Sequence, residues 1–137
     1  MTPQEPDAVP KTPVLDPQDV VERFIAAINA HDLDGIFAVL ARDHVFIDSV
    51  GHRLESAVAA RVAWRSYLAM CPDYWIRTTD ILSHNDLVLA TGMAGGTIRA
   101  TTWQTPAAFK ALVHDGKLLE WRVFADNKPV YEILARR

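Results

Sequence analysis

An α+β domain, three helices packed on a curved antiparallel sheet, is what this 137-residue sequence predicts, and three observations carry that prediction. Apolar residues at helical spacing are confined to the first half of the chain. The second half is a run of β-branched and aromatic segments separated by short turn signals. Half of all residues are apolar, which is enough material for one core.

Residues 1–15 form a separate segment. Pro3, Pro6, Pro10 and Pro13 forbid a helix there and favour extended, solvated chain, so a disordered Pro-rich tail is expected ahead of a domain over residues 16–137. Asp16 and Pro17 suit the N-cap and first position of a helix whose stripe is Val20, Val21, Phe24, Ile25 and Ile28. After the break at Asn29 to Asp32, Ile36, Phe37 and Leu40 mark a shorter helix from Leu33 to about Ala41, so the two form a helical hairpin.

His44 to Asp48 reads as a strand, followed by a turn around Gly51. A third helix runs from about Glu55 to Met70, with Val58, Val62, Trp64, Tyr67 and Leu68 as its bulky residues, and Pro72 ends it. Strands are expected over Tyr74 to Leu82, Leu87 to Ala94, Ile98 to Val113 and Lys117 to Phe124. Asn85-Asp86 and Asp115-Gly116 are the strongest hairpin signals, and Gly95-Gly96 reads as a bend or bulge. Val130 to Leu134 remains to close either the sheet or the mouth of the cone that a curled sheet makes with its helices.

Charge excludes several functions. The formal net charge is -3, from 14 basic and 17 acidic residues, and no basic cluster suits nucleic acid. No stretch reaches the roughly 18 apolar residues that span a bilayer. Met1 to Leu15 has no apolar run of signal-peptide type, and the single Cys71 rules out an intrachain disulfide, so a cytoplasmic setting is expected. No G-x-G-x-x-G, Walker or nucleophile-elbow pattern occurs, and no cofactor is expected.

Asp48 is the sharpest single residue. It ends an apolar strand and shares a face with Phe46 and His44 by alternation. Apolar walls make a charged carboxylate costly and favour proton uptake, the property a general base working near neutral pH needs. The alternative is a turn-forming Asp whose oxygen caps Val50 or Gly51. His44 and His52 flank Asp48 at four residues on either side, but four extended residues span roughly 13 Å, too far for shared ligation, and no metal site is expected. Trp64 and Trp121 are placed on inward faces, and a small buried thiol is expected at Cys71.

Val20 to Gly51 reads V-V-E-R-F-I-A-A-I-N-A-H-D-L-D-G-I-F-A-V-L-A-R-D-H-V-F-I-D-S-V-G. It resembles the opening of the ketosteroid isomerase and polyketide-cyclase branch of the nuclear transport factor 2-like superfamily, through the N-A-x-D-L-D-G link and the D-x-V-G after the first strand. C-P-D-Y, W-Q-T-P-A-A-F and W-R-V-F-A-D-N-K-P resemble small SnoaL-like proteins. The resemblance spans roughly Asp16 to Leu134 and implies a cone-shaped, cystatin-like fold.

Carried over residue by residue, the resemblance puts the isomerase base on Asp48. It puts the two oxyanion donors on Phe24 and near Phe109, neither of which has a hydrogen to donate. Indoles, with Tyr67 and Tyr74 behind them, are the available substitutes. The pattern of the limonene epoxide hydrolases fails, with Gly92, Ala94 and Val123 where that site needs charged residues. The resemblance implies a pocket for a small apolar ligand or substrate, lined by Phe24, Phe46, Trp64, Tyr67, Phe109 and Trp121. In it Asp48 would serve as the catalytic base of a cofactor-independent isomerase, cyclase or dehydratase acting on an apolar carbonyl compound, or would orient a ligand in a non-catalytic binding module. A homodimer is also implied, pairing through the outer sheet face that carries Glu120, Arg122 and Phe124.

Overall fold

A computed structural model describes residues 15–136. The Pro-rich segment therefore lies almost wholly outside the described residues. Helix α1 (Pro17–Asn29) begins with Pro17 in its first turn and buries the whole predicted stripe, Val20, Val21, Phe24, Ile25 and Ile28. Asp16 occupies the N-cap without a side-chain capping bond. Helix α2 (Leu33–Val39) starts at Asp32, whose carboxylate accepts from the Gly35 N–H at 3.0 Å. Asn29 exchanges two hydrogen bonds with the backbone of Ile76 (2.9 and 2.8 Å) and so pins the end of α1 to the sheet. The N-A-x-D-L-D-G link thus carries a helix stop, a clamp and a helix start.

The sheet has six strands in the order β2-β1-β6-β5-β4-β3: β1 (Leu40–Ile47), β2 (Arg53–Glu55), β3 (Trp75–His84), β4 (Leu87–Ile98), β5 (Thr101–His114) and β6 (Lys117–Ala125). Every pairing is antiparallel except β1 with β6, which is parallel and corrects the all-antiparallel expectation. The parallel pair brings the C-terminal ends of β1 and β6 side by side, with Phe46 opposite Trp121 and Ile47 opposite Arg122.

Helix α3 (Ala57–Met70) lies between β2 and β3 in sequence, and Ser56 caps it by accepting from the Ala59 N–H at 3.1 Å. It buries Ala57, Ala60, Trp64 and Leu68. Of its bulky residues, Val58 and Val62 are exposed.

Three further expectations are corrected. The β4–β5 hairpin turns at Arg99-Ala100, both at positive φ (50° and 63°), with no glycine to announce it. Gly95 and Gly96 sit in unbroken β4–β5 pairing: a side chain at Gly95 would run into Trp75 and the Trp103 carbonyl, and one at Gly96 into the Cys71 sulfur. The C-terminal segment is a fourth helix, α4 (Lys128–Leu134), which has Pro129 in its first turn and buries Val130 and Ile133. The Asn85 and Asp115-Gly116 turns occur as expected, all three residues at positive φ.

Candidate functional site

The interior of the cone is filled at one end by aromatic rings. Phe109 stacks on Trp121 with centroids 4.9 Å apart and planes 20° apart, and Phe24 meets Trp121 edge-on at 4.8 Å. These three residues are almost completely buried, and they form the floor behind the open space instead of lining it. The predicted wall at Phe24, Phe109 and Trp121 is thus corrected: close-packed rings occupy the depth that the resemblance assigned to a ligand.

In front of this floor lies a cavity of about 300 Å³. Phe46, Asp48 and Ser49 reach it from the end of β1, and Val123 from the adjoining end of β6. Ala63, Trp64, Tyr67 and Met70 reach it from α3. The N-cap residue Asn127 and the helical residues Val130, Tyr131 and Leu134 close it from α4. Phe46, Trp64 and Tyr67 therefore line one cavity. Val130 to Leu134 is expected at the sheet or the cone mouth, but its helix and lining residues are not legible in the sequence, because the segment is too short for a helical period to show; Pro129 in the first turn is the signal available.

Most of the polar residues of the pocket come from the sheet end and α4. The parallel β1–β6 ends and the start of α4 gather Asp48, Ser49, Asn127 and Tyr131, while α3 supplies an otherwise apolar wall. Phe46 and Tyr67 each stand nearly perpendicular to Trp64, at 87° and 88°, so the three rings make a corner. Burial raises the proton affinity of the Tyr67 phenol, with a smaller contribution from Cys71. The Trp64 indole N–H and the Ser49 hydroxyl are buried without partners.

Asp48 is the one charged residue among those lining the cavity, and its oxygens are held by its own turn. Its Oδ1 accepts from the Val50 and His52 N–H groups at 3.0 and 2.9 Å. Its Oδ2 lies 3.2 Å from His52 Nδ1, on a ring that is 82% exposed, and the Asp48 side chain is itself 38% exposed. The turn-capping alternative describes this geometry, with Val50 capped as expected. His44, predicted on the same face, is wholly buried and does not line the cavity. Its Nδ1 is 2.8 Å from the Leu118 carbonyl. Burial lowers its proton affinity, opposed by the Leu118 bond and by the charge of Glu120. Cys71 is buried, and burial pushes its thiol pKa up. Among the described residues no group of three His, Cys, Asp or Glu is arranged to hold a metal, and no helix is long and apolar enough to cross a membrane.

The fold and the sequence both have relatives. IdmH from Streptomyces antibioticus, described as a candidate polyketide cyclase, superposes with a TM-score of 0.74 at 21% identity, over 89% of this chain and 100% of its own. An epoxide hydrolase from M. tuberculosis, described as LEH-like, gives 0.75 at 21% identity over 86% of each chain. A protein of ketosteroid isomerase-like fold from Catenulispora acidiphila, solved with trimethylamine, gives 0.71 at 17% identity over 77% of this chain and 83% of its own. At these identities the likeness is one of fold, and that fold carries different chemistries. The family model of the SnoaL-like domain matches residues 21–121, from the first turns of α1 to Trp121 in β6, and the chain belongs to that family.

Proposed function

We propose that this chain binds a small, largely apolar molecule in the cavity between α3, α4 and the ends of β1 and β6. The observation that carries this reading is the cavity itself: about 300 Å³, with a mainly apolar and aromatic wall and a few polar groups. A ligand that loses about 200 Å² of apolar surface there gains roughly 5 kcal/mol before the cost of immobilisation, which suits micromolar binding at best. Titration followed by tryptophan fluorescence tests it, since Trp64 is part of the wall. Saturable quenching by apolar compounds of this size is expected, and Ala63→Trp, which fills the cavity from α3, is expected to abolish it. Equal quenching in the parent and in Ala63→Trp would place the ligand elsewhere.

A second reading has its own support. Asp48 touches both the cavity and the exposed His52, which gives a base there a path for protons to solvent. The Tyr67 hydroxyl, with the Trp64 N–H, supplies donors for an oxygen that Phe24 and Phe109 do not. On this reading Asp48 takes a proton next to a carbonyl, as in an isomerase, cyclase or dehydratase acting on an apolar carbonyl compound. The hydrogen bonds already held by Asp48 rank this reading below simple binding. Proton NMR in D2O decides it: a base at Asp48 exchanges the α-hydrogens of a bound cyclic ketone, and Asp48→Asn stops the exchange.

A further inference from the structure

We infer that the ligand of this pocket carries a positive charge: an apolar body bearing one ammonium group, held by the Asp48 carboxylate and the surrounding aromatic rings. This rests on the reading of the cavity as a binding site and assigns the ligand's charge class. The first observation is the sign of the site. Asp48 is the one charged side chain among the lining residues, and no Lys, Arg or His joins it there. An anionic ligand would meet a carboxylate with no cation from the wall to offset it, whereas a cation would neutralise it.

The second observation is how Asp48 is held. The Val50 and His52 N–H groups fix Oδ1, which orients the carboxylate as an acceptor. His52, 3.2 Å from Oδ2, has a ring that is 82% exposed and is not among the lining residues, whereas Asp48 is. A carboxylate set in this way suits pairing with an N–H donor better than abstraction of a carbon-bound proton.

The third observation is the wall. Phe46, Trp64 and Tyr67 make a corner of near-perpendicular rings, and Tyr131 closes the cavity from α4. The faces of aromatic rings attract ammonium groups, and attract them more strongly where water is excluded. The adjoining open cavity shares Ser49, Asn127 and Tyr131 with the first and adds Asp126 and Glu132 against a single Lys128. Approach to the mouth is therefore also favourable for a cation.

The test uses three compounds with one apolar body: 1-adamantylamine, 1-adamantanol and 1-adamantanecarboxylate, each titrated by calorimetry at pH 7.5. The amine is expected to bind roughly tenfold more tightly than the alcohol, and the carboxylate most weakly. Added salt should narrow the gap between amine and alcohol. In Asp48→Asn, whose amide oxygen still accepts from Val50 and His52, the ratio of amine to alcohol affinity should fall towards one. If the alcohol binds and the amine binds no better, the assignment of a cationic ligand is overturned while the pocket stands. If Asp48→Asn retains the full ratio, it is likewise overturned. If none of the three binds, the pocket reading itself fails, and the charge assignment fails with it.

Discussion

Asp48 and His44, four residues apart, have opposite surroundings. Strand alternation placed both in one apolar face. His44 is wholly buried, whereas the turn after Ile47 wraps its own N–H groups around a partly exposed Asp48. His44 Nδ1 donates to the Leu118 carbonyl, so the neutral ring carries its proton on Nδ1 and leaves Nε2 a buried acceptor without a partner. Burial disfavours the charged ring, so the unfolded chain takes up this proton more readily than the folded one. The resulting stability is complete above the unfolded value of about 6.5 and is lost as pH falls below it. Urea midpoints measured from pH 7.5 to 5.5 should therefore drop for the parent, and drop less for His44→Leu; parallel curves would remove His44 as the cause. Trp121 is the other informative single residue, 1% exposed and in contact with both Phe24 and Phe109. Trp121→Ala should cost about 3–5 kcal/mol of stability in urea unfolding. A loss below 1 kcal/mol would mean that the ring stack is not the centre of the core.

At the scale of elements, α4 turns an open cone into a pocket, and its anchoring is specific. The Arg99 guanidinium donates to the carbonyls of Leu134 and Arg136 at 3.2 and 3.4 Å, at the C-terminal end of the helix. Arg99→Asn, which still tolerates the positive φ of this turn, should speed hydrogen exchange in α4 by several-fold and weaken ligand binding. Unchanged exchange in α4 would show that Val130 and Ile133 hold the helix without the latch. These elements also mark where the sequence was legible. The helices α1 to α3 and the hairpins at Asn85 and Asp115-Gly116 were readable because stripe and turn chemistry are local. The Arg99-Ala100 turn was not, since neither residue favours positive φ on its own; twelve β4–β5 register pairs hold it. The parallel β1–β6 pairing was equally hidden, being a contact between segments some 70 residues apart, and no local pattern records it. The candidate site divides in the same way. Phe46, Trp64 and Tyr67 followed from inward faces and resemblance, whereas Asn127, Val130 and Tyr131 depend on α4.

For the whole molecule, the face of the sheet opposite the helices remains to be accounted for. Across it the register sets Leu82 beside Leu89, Leu89 beside Lys110 and Lys110 beside Arg122, with Thr91, Ala108 and Phe124 in the next row. Leu82, Leu89 and Phe124 are 74%, 48% and 49% exposed. That is a large apolar residue on each of three strands of one face, the kind of patch that marks an interaction surface. We propose that a second copy of this chain covers it, two such faces packing about a two-fold axis. The charges on the face support a self-complementary pairing. Lys110 and Glu120 form an ion pair at 3.1 Å, and Arg122 lies over the Phe124 ring at 4.9 Å, so the surface presents charges of both signs beside apolar groups. A stable pair buries about 1,600 Å² in total, about half of it on each copy, which a broad sheet face supplies. Light scattering on the parent protein at tens of micromolar should give twice the chain mass of 15.3 kDa. Phe124→Lys, which sets a charge in the middle of the face and leaves the cavity untouched, should give a monomer that keeps the far-ultraviolet circular dichroism of the parent. A parent that runs as a monomer would end the proposal, and a Phe124→Lys protein that remains dimeric would move the interface to another surface.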